Sequence, residues 1–155
     1  MPAKLFVIAA LVVAAAGCGG GGSSSGPLSK SEYEHKMQAE AKRLSDALRS
    51  ADVTSAKDVH EFADRLGSVK DDIAKSGDDV QALNPPANAA ADTQTIADVL
   101  HRIAAVIGQI QTAAAKNDDA SFQRDVQQLA QELRAAGPAV KDLKQKGYDV
   151  GEFGS

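Results

Sequence analysis

The sequence predicts an all-α protein, with residues 28–155 forming an antiparallel up-down-up-down four-helix bundle. Three observations carry this. The chain is rich in Ala, Asp, Gln, Lys and Leu, has no Trp and only 4% aromatic residues, which favours helix over strand. Apolar residues from Met37 to Leu143 recur in alternating steps of four and three, the spacing of one helix face. Finally, turn chemistry separates the periodic stretches at Asp52, at Asn84-Pro85-Pro86 and at Asn117-Asp118.

The first helix has a clear start. Ser29-Lys30-Ser31-Glu32 is a capping box, and Leu28 and Tyr33 occupy hydrophobic-staple positions. Its stripe is Met37, Ala41, Leu44 and Leu48, with Ala51 at its end. The second helix begins near Thr54 or Ser55 and carries Val59, Phe62, Leu66, Val69, Ile73, Val80 and Leu83. Its heptad breaks at Ser76-Gly77. The phase survives, which predicts one helix with a weak point there. Asn84-Pro85-Pro86 ends it, because a residue before Pro avoids the α region, and Pro is well placed to open the third helix. That helix has the widest apolar face: Ala89, Ile96, Val99, Leu100, Ile103, Val106, Ile107, Ile110 and Ala113. It should be the most buried. Asn117 suits a left-handed C-cap and Asp118 an N-cap. The fourth helix carries Phe122, Val126, Leu129, Leu133, Ala136, Val140 and Leu143. The unbroken phase across Gly137-Pro138 predicts a kink, and Gly147 fits a Schellman motif that brings Tyr148 over Leu143.

This order of helices puts the start of the first helix, the Pro-Pro turn and the tail from Tyr148 to Ser155 at one end. The turns near Asp52 and Asp118 fall at the other. Truncating Val150 to Ser155 should therefore matter only at the first end.

Residues 1–27 are of another kind. Lys4 and the amino terminus are positive, and Leu5–Ala16 is an uncharged apolar run. That run spans about 18 Å as helix, short of a hydrocarbon core of about 30 Å. It fits the apolar region of a signal peptide. Small residues follow, then Cys18, the only cysteine. Residues 19–27 are Gly, Ser and a final Pro, a flexible tether with a full reach of about 30 Å. An ordinary secretory signal with an incidental thiol and an uncleaved apolar N-terminus are the other readings of these residues.

Ala15-Ala16-Gly17-Cys18 resembles the lipobox of bacterial lipoproteins, usually Leu-Ala/Ser-Gly/Ala-Cys. The last three positions match, and Ala15 stands in place of Leu. The resemblance implies transfer of diacylglycerol to the Cys18 thiol by a diacylglyceryl transferase. It also implies cleavage between Gly17 and Cys18 by the lipoprotein signal peptidase. Residues 1–17 would be the signal peptide, 18–27 the lipidated Cys and tether, and the palmitate-type acyl chains of Cys18 would enter membrane lipid. As a whole, residues 1–155 resemble the small Ala-rich helical lipoproteins common in high-GC bacteria, including actinobacteria. Besides the lipobox and tether, Leu83-Asn84-Pro85-Pro86 and Gly147-Tyr148 carry that likeness. It implies a location at the outer face of the cell membrane and little about activity.

Charge narrows the partners. Only Lys4 of the 17 Lys and Arg precedes Cys18, so removing residues 1–17 takes the formal charge from −4 to −5. A basic nucleic-acid footprint is missing. The three histidines do not converge: His35 and His60 flank the seam outward and His101 lies opposite it. All three read as solvated. Glu32-x-x-His35 is one copy of a pattern that builds a di-metal site only when paired on two helices. Asp71-Asp72, Asp78-Asp79 and Asp118-Asp119 lack the order of a calcium loop and read as caps and solvated faces. Met37 reads as core. No Ser/His/Asp set or phosphate loop is evident. The sequence therefore points to no catalytic residue, metal or cofactor. It favours a non-enzymatic binding or interaction module of the cell envelope, with an envelope protein or a small ligand as partner. A metal- or cofactor-binding bundle and a passive structural spacer are the alternatives.

Overall fold

The structure, a computed structural model, describes residues 26–151 and 153. It is all-α among these residues, with six α-helices: α1 (Lys30–Ala51), α2 (Val59–Gly67), α3 (Lys70–Gln81), α4 (Ala90–Ala115), α5 (Asp119–Ala135) and α6 (Gly137–Gln145). A 3₁₀ turn, Val53–Ser55, links α1 to α2.

The start of α1 follows from its capping box. Glu32 N–H donates to Ser29 Oγ at 3.3 Å, and Ser29 N–H donates to the Glu32 carboxylate at 3.0 Å. Two of the amides left unpartnered at the helix start, those of Ser29 and Glu32, thereby gain a partner. Leu28 N–H then donates to the Asn84 carbonyl at 2.7 Å, tying the incoming chain to the Pro-Pro turn. At the other end of α1, Asp52 turns left-handed and receives Arg65 on its carbonyl at 2.7 Å.

The second predicted helix is two. It divides at Ser68-Val69, not at Ser76-Gly77. Gly67, Ser68 and Val69 are weak helix formers, and Ser68 Oγ donates back to the Arg65 carbonyl at 2.6 Å. Val69 N–H reaches only to Leu66, a tightened turn that keeps Val69 buried. Ser76 and Gly77 lie inside α3, buried. A Cβ on Gly77 would stand 2.6 Å from the His101 ring. The seam position that looked like a break is thus a place where α3 and α4 approach closely. Further expectations shift. The helix expected from Thr54 or Ser55 opens only at Val59, with Asp58 as its N-cap. The long helix after the Pro-Pro turn opens at Ala90 rather than at Pro, and Val59 is 40% exposed instead of inward.

α4 is the hub. It packs against α2, α3, α5 and α6, while α1 packs chiefly on α3. Ile96, Val99, Val106, Ile107 and Ile110 are essentially inaccessible. Asn117 turns left-handed after α4, with Asn117 N–H on Ala114 O and Asp118 N–H on Ala113 O, each at 3.0 Å. This is the reciprocal pair of a Schellman motif. Asp118 then accepts Ser121 N–H at 3.0 Å as the α5 N-cap.

Between α5 and α6, Ala136 keeps right-handed helical angles and Val140 N–H still reaches its carbonyl at 3.0 Å. The helix expected to run on with a kink is divided there into α5 and α6, with the backbone staying near-helical across Ala136. Pro138 falls in the first turn of α6, where its missing N–H is least costly. Gly147, at φ +86°, closes α6 with Tyr148 N–H on Leu143 O at 2.9 Å.

The tail does more than cap one end. Asp149 N–H donates to Glu34 at 2.8 Å, and Gln38 Nε2 donates to the Asp149 carbonyl at 3.0 Å, so the tail lies along α1. Val150 and Phe153 are buried in the common core. Tyr33 meets Tyr148 edge-on at 5.3 Å, and their hydroxyls bond Thr93 at 2.8 Å and Asn88 at 2.7 Å. Lys146 bridges Asp92 at 2.6 Å and Asp142 at 2.8 Å, which pushes its ammonium up to about 12. The tail is therefore a structural part of the bundle and not only an end decoration. Deleting residues 150–155 removes Val150 and Phe153 from the core and should cost roughly 3–6 kcal/mol. Urea unfolding of the truncated chain measures it.

Candidate binding surfaces

Gly17 and Cys18, the residues for which the sequence offers a definite chemistry, lie outside the described residues. The structure fixes where their chain arrives: at Leu28, beside the Pro-Pro turn and the tail. Among the described residues, no helix is long and apolar enough to cross a membrane.

The histidines stay apart. His35 is exposed. His60 Nε2 lies 3.1 Å from Asn117 Oδ1, an exposed contact joining α2 to the α4–α5 turn. His101, expected to be solvated, is half-buried over Gly77, its Nε2 3.0 Å from Asp78. The acidic pairs serve the fold. Asp71 and Asp72 stand in the first turn of α3, where carboxylates complement the helix dipole. Asp79 is held below the ordinary Asp range by hydrogen bonds from Lys75 and then Arg43. Asp118 is lowered by the Ser121 amide that it caps. Among the described residues, no three His, Cys, Asp or Glu side chains gather closely enough to hold a metal ion.

Two recesses border α4, and another, of about 490 Å³, lies between α1 and the end of α3 beside His35, Glu40 and Asp79. The first is a narrow slot of about 50 Å³ with a wholly aliphatic lining. Its floor is Leu100, Ile103 and Ile107 of α4. Leu44 and Leu48 of α1 stand on one side, and Leu129 and Leu133 of α5 on another. It exists because α5 is thinly buried: Leu129 is 8% exposed and Leu133 38%. A slot without polar groups stays dry.

The second is a polar groove of about 560 Å³ along the α4–α5 junction. Small α4 residues at one helical spacing, Ala105, Gly108 and Thr112, leave the room. Gln109 edges it from α4 and Lys116 from the C-cap that follows, and Arg124, Asp125 and Gln128 from α5. Asp125 is the one buried residue with a charged side chain among those described, its side chain 5% exposed. Its Oδ1 takes Arg124 Nε and Nη2, both at 3.1 Å, while the Arg124 side chain is 68% exposed. Lys116 has no ion-pair partner among the described residues.

Sequence reasoning missed Asp125. The signal was present, since position 125 is three after Phe122 and four before Leu129, on the buried face of α5. A stripe of apolar residues alone passes over a polar residue in that place.

Scans of protein-family models, curated proteins and solved structures return no match to this chain.

The slot separates two neighbouring leucines. Leu129→Ala should cost about 2–4 kcal/mol, whereas Leu133→Gln, at the open edge, should stay within about 1 kcal/mol of wild type. Thermal or urea unfolding of the two variants checks the contrast.

Proposed function

We propose that this chain is a lipoprotein anchored through acylated Cys18 at the extracytoplasmic face of the cell membrane. There it serves as a non-enzymatic binding or interaction module of the envelope. The observation that carries the reading is the order Lys4, apolar Leu5–Ala16, Ala15-Ala16-Gly17-Cys18, then a Gly/Ser tether. Two or more acyl chains hold a protein stably in a bilayer, at roughly 0.8 kcal/mol per buried CH₂. The α4–α5 groove supports the binding half of the reading.

We also read the helices as an up-down-up-down bundle in which α2 with α3, and α5 with α6, each make one arm. Leu28 with Asn84, Tyr33 with Thr93 and Tyr148 with Asn88 support one shared end. Arg65 with Asp52, His60 with Asn117 and Phe62 with Phe122 support the other. The tether then enters at the end that holds the tail, and the α4–α5 turn points away from the membrane.

The test compares wild type with Cys18→Ser in cells fed an alkyne-tagged fatty acid. Wild type should carry the label and pellet with membranes, and the Ser variant should lose both properties. A Ser variant that pellets as wild type does would sink the anchor. Cross-linking in the same intact cells should capture a specific partner or ligand. A passive spacer captures none.

A further inference from the structure

We propose that the α4–α5 groove binds a small zwitterion of the amino-acid or short-peptide class. Asp125 would hold its ammonium, and Arg124 with Lys116 its carboxylate. This deepens the binding-module reading by naming a ligand class, and it does not depend on the chemistry of Cys18.

The argument starts from the cost of Asp125. A carboxylate taken out of water is unfavourable unless well paired. Its partner here is the adjacent residue of the same helix, and successive helical residues do not face each other. Arg124 must reach sideways while 68% exposed, so the bridge is largely screened and offsets little of that cost. Oδ2 accepts no hydrogen bond from the described residues and keeps contact with solvent at the groove edge. A largely buried acid held only by an exposed neighbour, with one oxygen open at the edge of a roomy groove, is matched to a donor from outside.

The surrounding charges select the kind of donor. Asp118 is committed to the α5 N-cap. That leaves one buried anion and two cations, Arg124 and Lys116, facing the same groove. A pure polyamine would meet the cations, and a pure anion would meet Asp125. A ligand with both an ammonium and a carboxylate satisfies the set, with Arg124 free to turn from Asp125 toward the ligand. Gln109 and Gln128, one from each helix, present amides that can pair with a peptide bond. The groove, about 560 Å³ and open along one side, leaves room for a small molecule to lie along it.

The test uses the whole chain in its Cys18→Ser form, ¹⁵N-labelled, titrated with L-alanine, L-alanyl-L-alanine, N-acetyl-L-alanine and L-alanine amide. Either of the first two should shift the Gly108, Thr112 and Ser121 amides saturably, with a dissociation constant of about 1 mM or tighter. Blocking either terminus should weaken binding about tenfold or more. Asp125→Asn should lose binding by a similar factor without lowering the thermal midpoint, since the acid serves the ligand and not the fold. Lys116→Gln, at an exposed site, should weaken the carboxylate-bearing probes alone and leave L-alanine amide unchanged. The proposal is overturned by any of three results. Neither free probe saturates up to about 10 mM, the blocked probes bind as well as the free ones, or Asp125→Asn melts well below wild type, which would make Asp125 a structural residue.

Discussion

α4 carries apolar residues around most of its circumference, and such a helix has to be enclosed. Ile96, Ala97, Val99, Leu100, Ile103, Ala104, Val106, Ile107, Ile110, Ala113 and Ala114 are all buried. The other elements are arranged to do the burying. α2 and α3 cover one side, α5 and α6 another, and α1 joins by lying on α3. Only a strip of α4 escapes: Thr95, Asp98, Arg102, Ala105, Gln109 and Thr112 follow one another along a single face. Where this strip meets α5, the junction is polar. Arg102 pairs with Glu132 at 2.8 Å, and beyond that pair the small side chains open the groove beneath Asp125. The groove is therefore a consequence of how α4 is covered.

The same constraint explains which parts were legible in the sequence. Caps are local, so Ser29, Asn117, Asp118 and Gly147 could be assigned from neighbouring residues alone, and each takes the role expected of it. The wide stripe of α4 likewise announced its burial. Gly77 misled because a glycine in a seam has two meanings, a weak point or a close approach. Only the position of His101 on another helix decides between them. The division at Ser68-Val69 was hidden for the opposite reason. A single tightened turn keeps Leu66, Val69 and Ile73 facing inward, so the apolar spacing hardly registers it. Asp125 was missed because a search for apolar stripes passes over a polar residue, although its spacing from Phe122 and Leu129 places it on the buried face of α5.

On the proposed orientation, the bundle has two different ends. The tether arrives where Leu28, Tyr33, Asn84, Thr93 and Tyr148 form a hydrogen-bonded and aromatic cluster, and where the tail is stitched along α1. That end is stiffened by long-range contacts. The α4–α5 end has thinner cover, with Phe122 and Val126 only half-buried and Leu133 open. Regions with few buried contacts are the ones that open locally, and a ligand groove is well placed there. An anchored chain would then hold its rigid end at the membrane and offer its adaptable side away from it.

The central claim is that α4 is the enclosed hub and α5 a thinly held cover. Native-state amide hydrogen exchange tests it most directly. The account predicts that α4 amides from Ile96 to Ile110 exchange only through global unfolding. It also predicts that α5 amides from Phe122 to Leu133 exchange about tenfold faster or more, through local opening. Equal protection in the two helices, or weaker protection in α4 than in α1, would contradict it.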